Sequence, residues 1–166
     1  MSDTGSAPDS NRFVYDPERQ PELFDGVLSK RIVAFIVDAI LIVLLMIPAA
    51  LMILILGLIT LGIAWLLFPA LFAIVALGYV ALTLGGRASA TPGMRLVGVE
   101  MRTWNGQRMF PLLAMMHALI FWFSCGILTP LILLVGLFTA RRQMLHDLLL
   151  GVVALNAEPL ARLGGK

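Results

Sequence analysis

An all-α integral membrane protein is the fold class this sequence predicts: a small helical bundle of two full spans plus a broken third run (a helical hairpin), with a short β-hairpin or loop on the cytoplasmic side. Three observations predict it. The chain is 60% hydrophobic and 13% charged over 166 residues, against about 25% charged in a soluble domain. From Ile32 to Gly86 only Asp38 is charged, and from Met109 to Ala140 nothing is. The other charges lie before the first run, in the segment between the two, and after the second. Such a chain has too little polar surface to cover a globule in water.

Residues 1–25 form the first of three regions and read as a disordered tail, rich in proline and acids and without the basic start and apolar core of a signal peptide. Residues 26–157 form the membrane domain, and 158–166 a C-terminal tail read as loop. The run Ile32–Gly86 is 55 residues long, about 80 Å as helix. A bilayer core takes about 20 residues, so the run predicts two spans, at 31–56 and 61–84. The turn falls at Gly57–Gly62. Pro48 and Pro69 bend these helices without ending them, because neighbouring groups satisfy the freed carbonyls.

Gly85–Arg108 is a polar interruption holding Arg87, Arg95, Glu100, Arg102 and Arg108. Thr91-Pro92-Gly93 predicts a turn, and partial alternation over Leu96–Arg102 followed by Asn105-Gly106 predicts a short β-hairpin or ordered loop. Met109–Ala140 has 32 residues, about 48 Å as one helix, which overshoots a single span. Breakable residues sit in its middle, at Ser124-Cys125-Gly126 and Thr129-Pro130. Short cytoplasmic loops carry excess Lys and Arg. Lys30, Arg31 and the Arg87–Arg108 loop therefore lie inside and the uncharged Gly57–Gly62 turn outside. One unbroken third span would put Arg141 and Arg142 outside, so the charge rule predicts two short helices, 109–124 and 127–140. Leu148–Leu155 is too short to span and packs at the interface or against the bundle. The expected location is the bacterial inner membrane, multi-pass, with the N-terminus in the cytoplasm.

Several function classes are excluded. A net charge of +2 without an aromatic-interleaved basic patch gives no reason to expect nucleic acid. The lone Cys125 cannot form a disulfide within the chain. No phosphate loop, dinucleotide fingerprint, Ser/His/Asp set or metalloprotease spacing occurs, so neither an enzyme nor a cofactor is expected. His117 follows Met115-Met116 in an apolar run. A soft-metal site would need a thiol pair or repeated Met spacing, which the sequence lacks, so the expected role is a helix–helix hydrogen bond and no metal is expected.

Asp38 is the most informative residue. An Asp at a helix centre costs about 2.5–3.5 kcal/mol on insertion scales, less near an interface, so it needs a cation, water or a proton. Arg31, seven residues earlier, shares its helix face about 10 Å away along the axis. Arg87 or Arg95 can also fold back toward it. Asp147 beside His146 reads either as a helix start favoured by the dipole or as a second acid at the same face, with a neighbour that changes charge near neutral pH. Arg31, Asp38, Arg95, His146 and Asp147 thus form the candidate polar site, for an ion or proton or for structure alone.

Three stretches together resemble the RDD family of membrane proteins: R-I-V-A-F-I-V-D (31–38), A-T-P-G-M-R-L-V-G-V (90–99) and R-R-Q-M-L-H-D-L-L-L-G-V-V (141–153). The resemblance covers about Gly26 to Ala157. It assigns the family's Arg and two Asp to Arg31, Asp38 and Asp147. Met94 stands where the family usually has Lys, and Leu150 and Val152 stand where it usually has a small and a hydroxyl residue. The resemblance implies transport, by analogy with members linked to cation/proton exchange. Two readings follow: a transport-related protein with Asp38 carrying a cation or proton, or a non-transporting assembly subunit in which the Arg/Asp set is structural. Expected partners are the lipid bilayer and either further copies of the chain or another membrane protein.

Overall fold

The computed structural model describes residues 14–138 and 144–164. Apolar segments with no polar side chains close their backbone hydrogen bonds internally, and a helix is the local way to do so. Helix α1 spans Val27–Ile59, 33 residues, about 50 Å. Pro48 sits inside it without ending it. The chain reverses at Thr60–Gly62, where Leu61 and Gly62 adopt positive φ. Gly57 lets the Trp65 indole close over this end of the helix: a Cβ there would overlap the indole ring and force it to shift. The returning limb is a 3-10 stretch, Ile63–Ala70, continued by α2, Leu71–Thr83.

These two limbs are the described helices long and apolar enough to cross a membrane. Only 6% of the most apolar window of the first is buried, and 22% of the second. A core helix of a soluble domain would be mostly covered. Here Ile47, Met52, Leu58, Leu66 and Phe72 stand exposed along both limbs.

After α2 the chain turns into a polar cap. Helix α3 is a short element, Pro92–Leu96. Strand β1, Val99–Thr103, pairs antiparallel with β2, Val152–Asn156, in a register running from Val99↔Asn156 to Thr103↔Val152. Helix α4 covers Pro111–Phe138, α5 Leu145–Leu150 and α6 Ala157–Gly164. Strand β2 is buried on both faces. Val152 and Ala154 join Val27, Val99, Met101 and Met109 on one side, while Val153 and Leu155 join Tyr15, Leu23, Phe24 and Leu160 on the other. Asn156 ties the cap to the start of α1. Its amide donates to the carbonyls of Glu22 and Asp25, and its oxygen accepts from Lys30 Nζ at 2.6 Å.

Four expectations are corrected. The third apolar run is not a helical hairpin: α4 stays helical through Thr129-Pro130, because an interior proline removes one hydrogen bond without obliging the helix to stop. Arg141 and Arg142, on which the hairpin argument turned, lie outside the described residues. Strand β1 is not one arm of a local hairpin. Asn105-Gly106 does turn the chain, but only an isolated bridge, Arg102↔Arg108, joins the returning arm, since α4 begins three residues later. The long-range partner β2 offers five paired positions instead. Residues 14–25 are packed rather than a free tail: Tyr15, Leu23 and Phe24 are buried and Val14 N–H donates to the Trp104 carbonyl. Residues 158–164, read as loop, belong to helix α6. Residues 1–13 lie outside the described residues.

Candidate functional site

Two polar nodes sit where the cap meets the helices. The first is built on Arg31, in the second turn of α1, and Asp147, the third residue of α5. The Arg31 fork donates to both Asp147 oxygens, Nη2 to Oδ1 at 3.0 Å and Nη1 to Oδ2. Both side chains are buried. Asp147 Oδ2 also accepts from the Met144 amide at 2.9 Å, which holds the entry to α5. Two imidazoles complete this node. His117 Nδ1 lies 3.7 Å and His146 Nε2 3.5 Å from Asp147 Oδ1. The rings meet edge to face with centroids 4.7 Å apart, and Phe121 closes the other side of His146 at 5.2 Å.

The electrostatics of this node follow from burial and one cation. Burial works to raise the Asp147 carboxyl, but Arg31, by charge and hydrogen bond, overrides it with help from the two histidines and holds it down at about 2. Burial pushes His146 down to about 4, against the pull of Asp147 and with help from Arg31. At neutral pH the pair is therefore Arg31⁺–Asp147⁻ beside a neutral His146 ring.

The second node is Asp38, two turns further along α1 and 8% exposed. Three donors converge on it: Tyr79 Oη to Oδ1 at 2.6 Å, Thr91 Oγ1 to Oδ2 at 2.5 Å and the Gly93 amide to Oδ1 at 2.8 Å. Thr91 at the same time caps α3 by accepting from the Met94 amide. The fit needs glycine at 93, since a Cβ would fall 2.3 Å from the Ala34 carbonyl oxygen and 2.8 Å from the Asp38 carboxyl. Asp38 thus draws the tip of α3 against α1.

The cationic partner expected for Asp38 is replaced by neutral donors. Among the described residues no Arg, Lys or His nitrogen lies within 4.0 Å of its carboxyl. Arg31 is committed to Asp147, and Arg95 donates instead to the Ala90 carbonyl at 3.3 Å. Of the candidate residues, Arg31, His146 and Asp147 come together, Asp38 stands apart in its own node, and Arg95 makes no ion pair among the described residues. Sequence reasoning missed Tyr79, Thr91 and Gly93 as the partners of Asp38, and His117 as a neighbour of Asp147. A Thr-Pro pair that starts a helix is a legible N-cap signal. A tyrosine in an apolar run announces only that its hydroxyl needs a partner.

Fold and site together define a class: a small, mostly helical chain with two helices apolar enough to cross a membrane and a polar cap clamped to them by buried acids. The RDD family model matches residues 26–151, and the chain belongs to the RDD family. Searches of curated proteins and of solved structures found no match.

Proposed function

We propose that this chain is a multi-pass protein of the bacterial cytoplasmic membrane, N-terminus inside, that serves as a non-transporting assembly or interaction subunit in which the Arg/Asp set is structural. One observation carries the reading. The acid best placed to carry a cation is buried and already accepts three hydrogen bonds from Tyr79, Thr91 and Gly93. A carboxylate has about four acceptor positions, so these bonds leave an ion at most one lone pair of Asp38, and a closer grip would break bonds worth about 1.5–3 kcal/mol each. The charge pattern supports the orientation. Among the described residues every charge except Asp38 lies on 16–31, 87–108 or 147–162, and the turn at Thr60–Gly62 carries none, as excess positive charge on the cytoplasmic side requires.

The test is cation-driven proton flux in proteoliposomes. Wild type is expected to match empty vesicles, and Asp38→Asn is expected to lower the yield of folded protein in detergent without removing any flux. Flux in wild type that Asp38→Asn abolishes, at matched folded protein, overturns the reading. A crosslinked partner that depends on residues 94–108 would add support.

Cation or proton transport by an oligomer is the second reading, and one observation favours it. The His117 and His146 nitrogens beside Asp147 are buried and have no hydrogen-bond partner among the described residues, as expected of a site that receives a cation. The same flux assay on His146→Gln separates the two.

A further inference from the structure

Buried polar groups are nearly always hydrogen-bonded, and each exception calls for an unseen ion or water or for a functional reason. His117 Nδ1 and both nitrogens of His146 are such exceptions among the described residues, and neither side chain is on the surface, the residues being 7% and 1% exposed. Leaving a buried donor or acceptor unmade costs about 1–3 kcal/mol, yet two of these atoms, His117 Nδ1 and His146 Nε2, face one carboxylate oxygen. One ligand atom each from His117, His146 and Asp147 lies within 4.8 Å of the other two.

We propose that His117, His146 and Asp147 form a binding site for a divalent transition metal. The lone pairs of Asp147 show where the ion would sit. A carboxylate offers about four acceptor positions. Oδ2 uses two, for Arg31 Nη1 and the Met144 amide, and Oδ1 uses one, for Arg31 Nη2. The remaining position is on Oδ1, the oxygen that lies 3.5 and 3.7 Å from the two imidazole nitrogens. Those separations are too long for hydrogen bonds. These two edges are within a few tenths of an ångström of the roughly 3.3 Å edge of a tetrahedron with metal–ligand bonds of about 2.0–2.1 Å, and the imidazole nitrogens, within 4.8 Å of each other, would close toward that edge on binding. Arg31 takes the outer-shell part, orienting the ligand carboxylate.

The donor set selects the ion. Two imidazoles and one carboxylate oxygen suit Zn²⁺, Co²⁺ or Ni²⁺, whereas Ca²⁺ and Mg²⁺ take oxygen ligands. Asp147 is already neutralised by Arg31, so nitrogen affinity rather than net charge has to hold the dication, which again disfavours the hard ions. Three protein ligands leave a fourth position open, the pattern of a working rather than a purely structural zinc site. The inference stands whether or not the chain transports anything.

The test uses the full-length protein in detergent, without a polyhistidine tag and stripped with chelator, titrated with Co²⁺ and then Zn²⁺. The expected result is one Co²⁺ per chain, with a ligand-field spectrum of mixed nitrogen and oxygen coordination that Zn²⁺ displaces. His117→Gln and His146→Gln should each weaken binding by more than the roughly 10–100-fold that loss of an outer-shell partner costs, with circular dichroism and elution volume confirming the fold. Two results overturn the site: no stoichiometric Co²⁺ spectrum in wild type, which would leave a bridging water as the partner of these nitrogens, or undiminished binding in the double glutamine variant. If the variants fail to fold, X-ray absorption of zinc-loaded wild type decides. Two imidazoles in the first shell support the site, and one or none overturns it.

Discussion

Arg31 and Asp147 illustrate why a buried ion pair is better described as a lock than as a source of stability. Removing both charges from water costs much of what their attraction returns, whereas removing one partner strands the other. Arg31→Met is therefore expected to cost about 3–5 kcal/mol in equilibrium unfolding in mixed micelles, and the double variant Arg31→Met/Asp147→Leu to recover most of that loss. Equal and additive losses would remove the pair from the account. Tyr79 gives a cleaner test of the second node, because phenylalanine keeps the ring and deletes only the donor. Tyr79→Phe should cost about 1.5–3 kcal/mol by the same measurement. The sequence makes Arg31, Asp38 and Asp147 conspicuous, since charges in apolar runs are few. It does not reveal who pairs with whom. Arg31 and Asp38 share a helix face at a spacing that invites a pair, yet Arg31 joins an acid 116 positions away, and only the tertiary fold brings that residue near.

At the scale of elements, α3 is the hinge of the arrangement. Its N-cap Thr91 serves two masters, the Met94 amide and the Asp38 carboxyl, and Gly93 lets its backbone touch α1. Gly93→Ala forces a methyl group to within 2.3 Å of the Ala34 carbonyl oxygen, and overpacking of this kind costs about 1–3 kcal/mol. A lowered thermal midpoint in detergent is the expected outcome, with a larger loss than for Ala at Gly78, a helical glycine of α2 where nothing lies within 4 Å of the added Cβ. The limbs of the first helical hairpin were legible to within a few residues because charge-free length is a strong signal. Strand β2 was not, because burial on both faces replaces alternation with a continuous apolar run that looks like any short buried segment. Helix α4 was misread because the positive-inside argument was asked to decide a helix break, and a proline inside an apolar run does not by itself impose one.

For the whole molecule, the charge asymmetry and the uncovered apolar limbs say one thing together: one polar end, one uncharged turn, and between them a surface that water does not suit. With Cys125→Ala as background, a cysteine at Leu61, 95% exposed, should react with an impermeant maleimide added to intact spheroplasts, and a cysteine at Asn105 only after permeabilisation. The reverse pattern would invert the proposed orientation. What unites the scales is that Asp38 holds the cap to the two long apolar limbs. Hydrogen–deuterium exchange of purified wild type and Asp38→Asn tests this most directly. The expected result is faster exchange of the amides of 93–96 and 99–103 in the variant, with the exchangeable amides of 45–56 in α1 unchanged. Identical exchange in the cap of both proteins would contradict it.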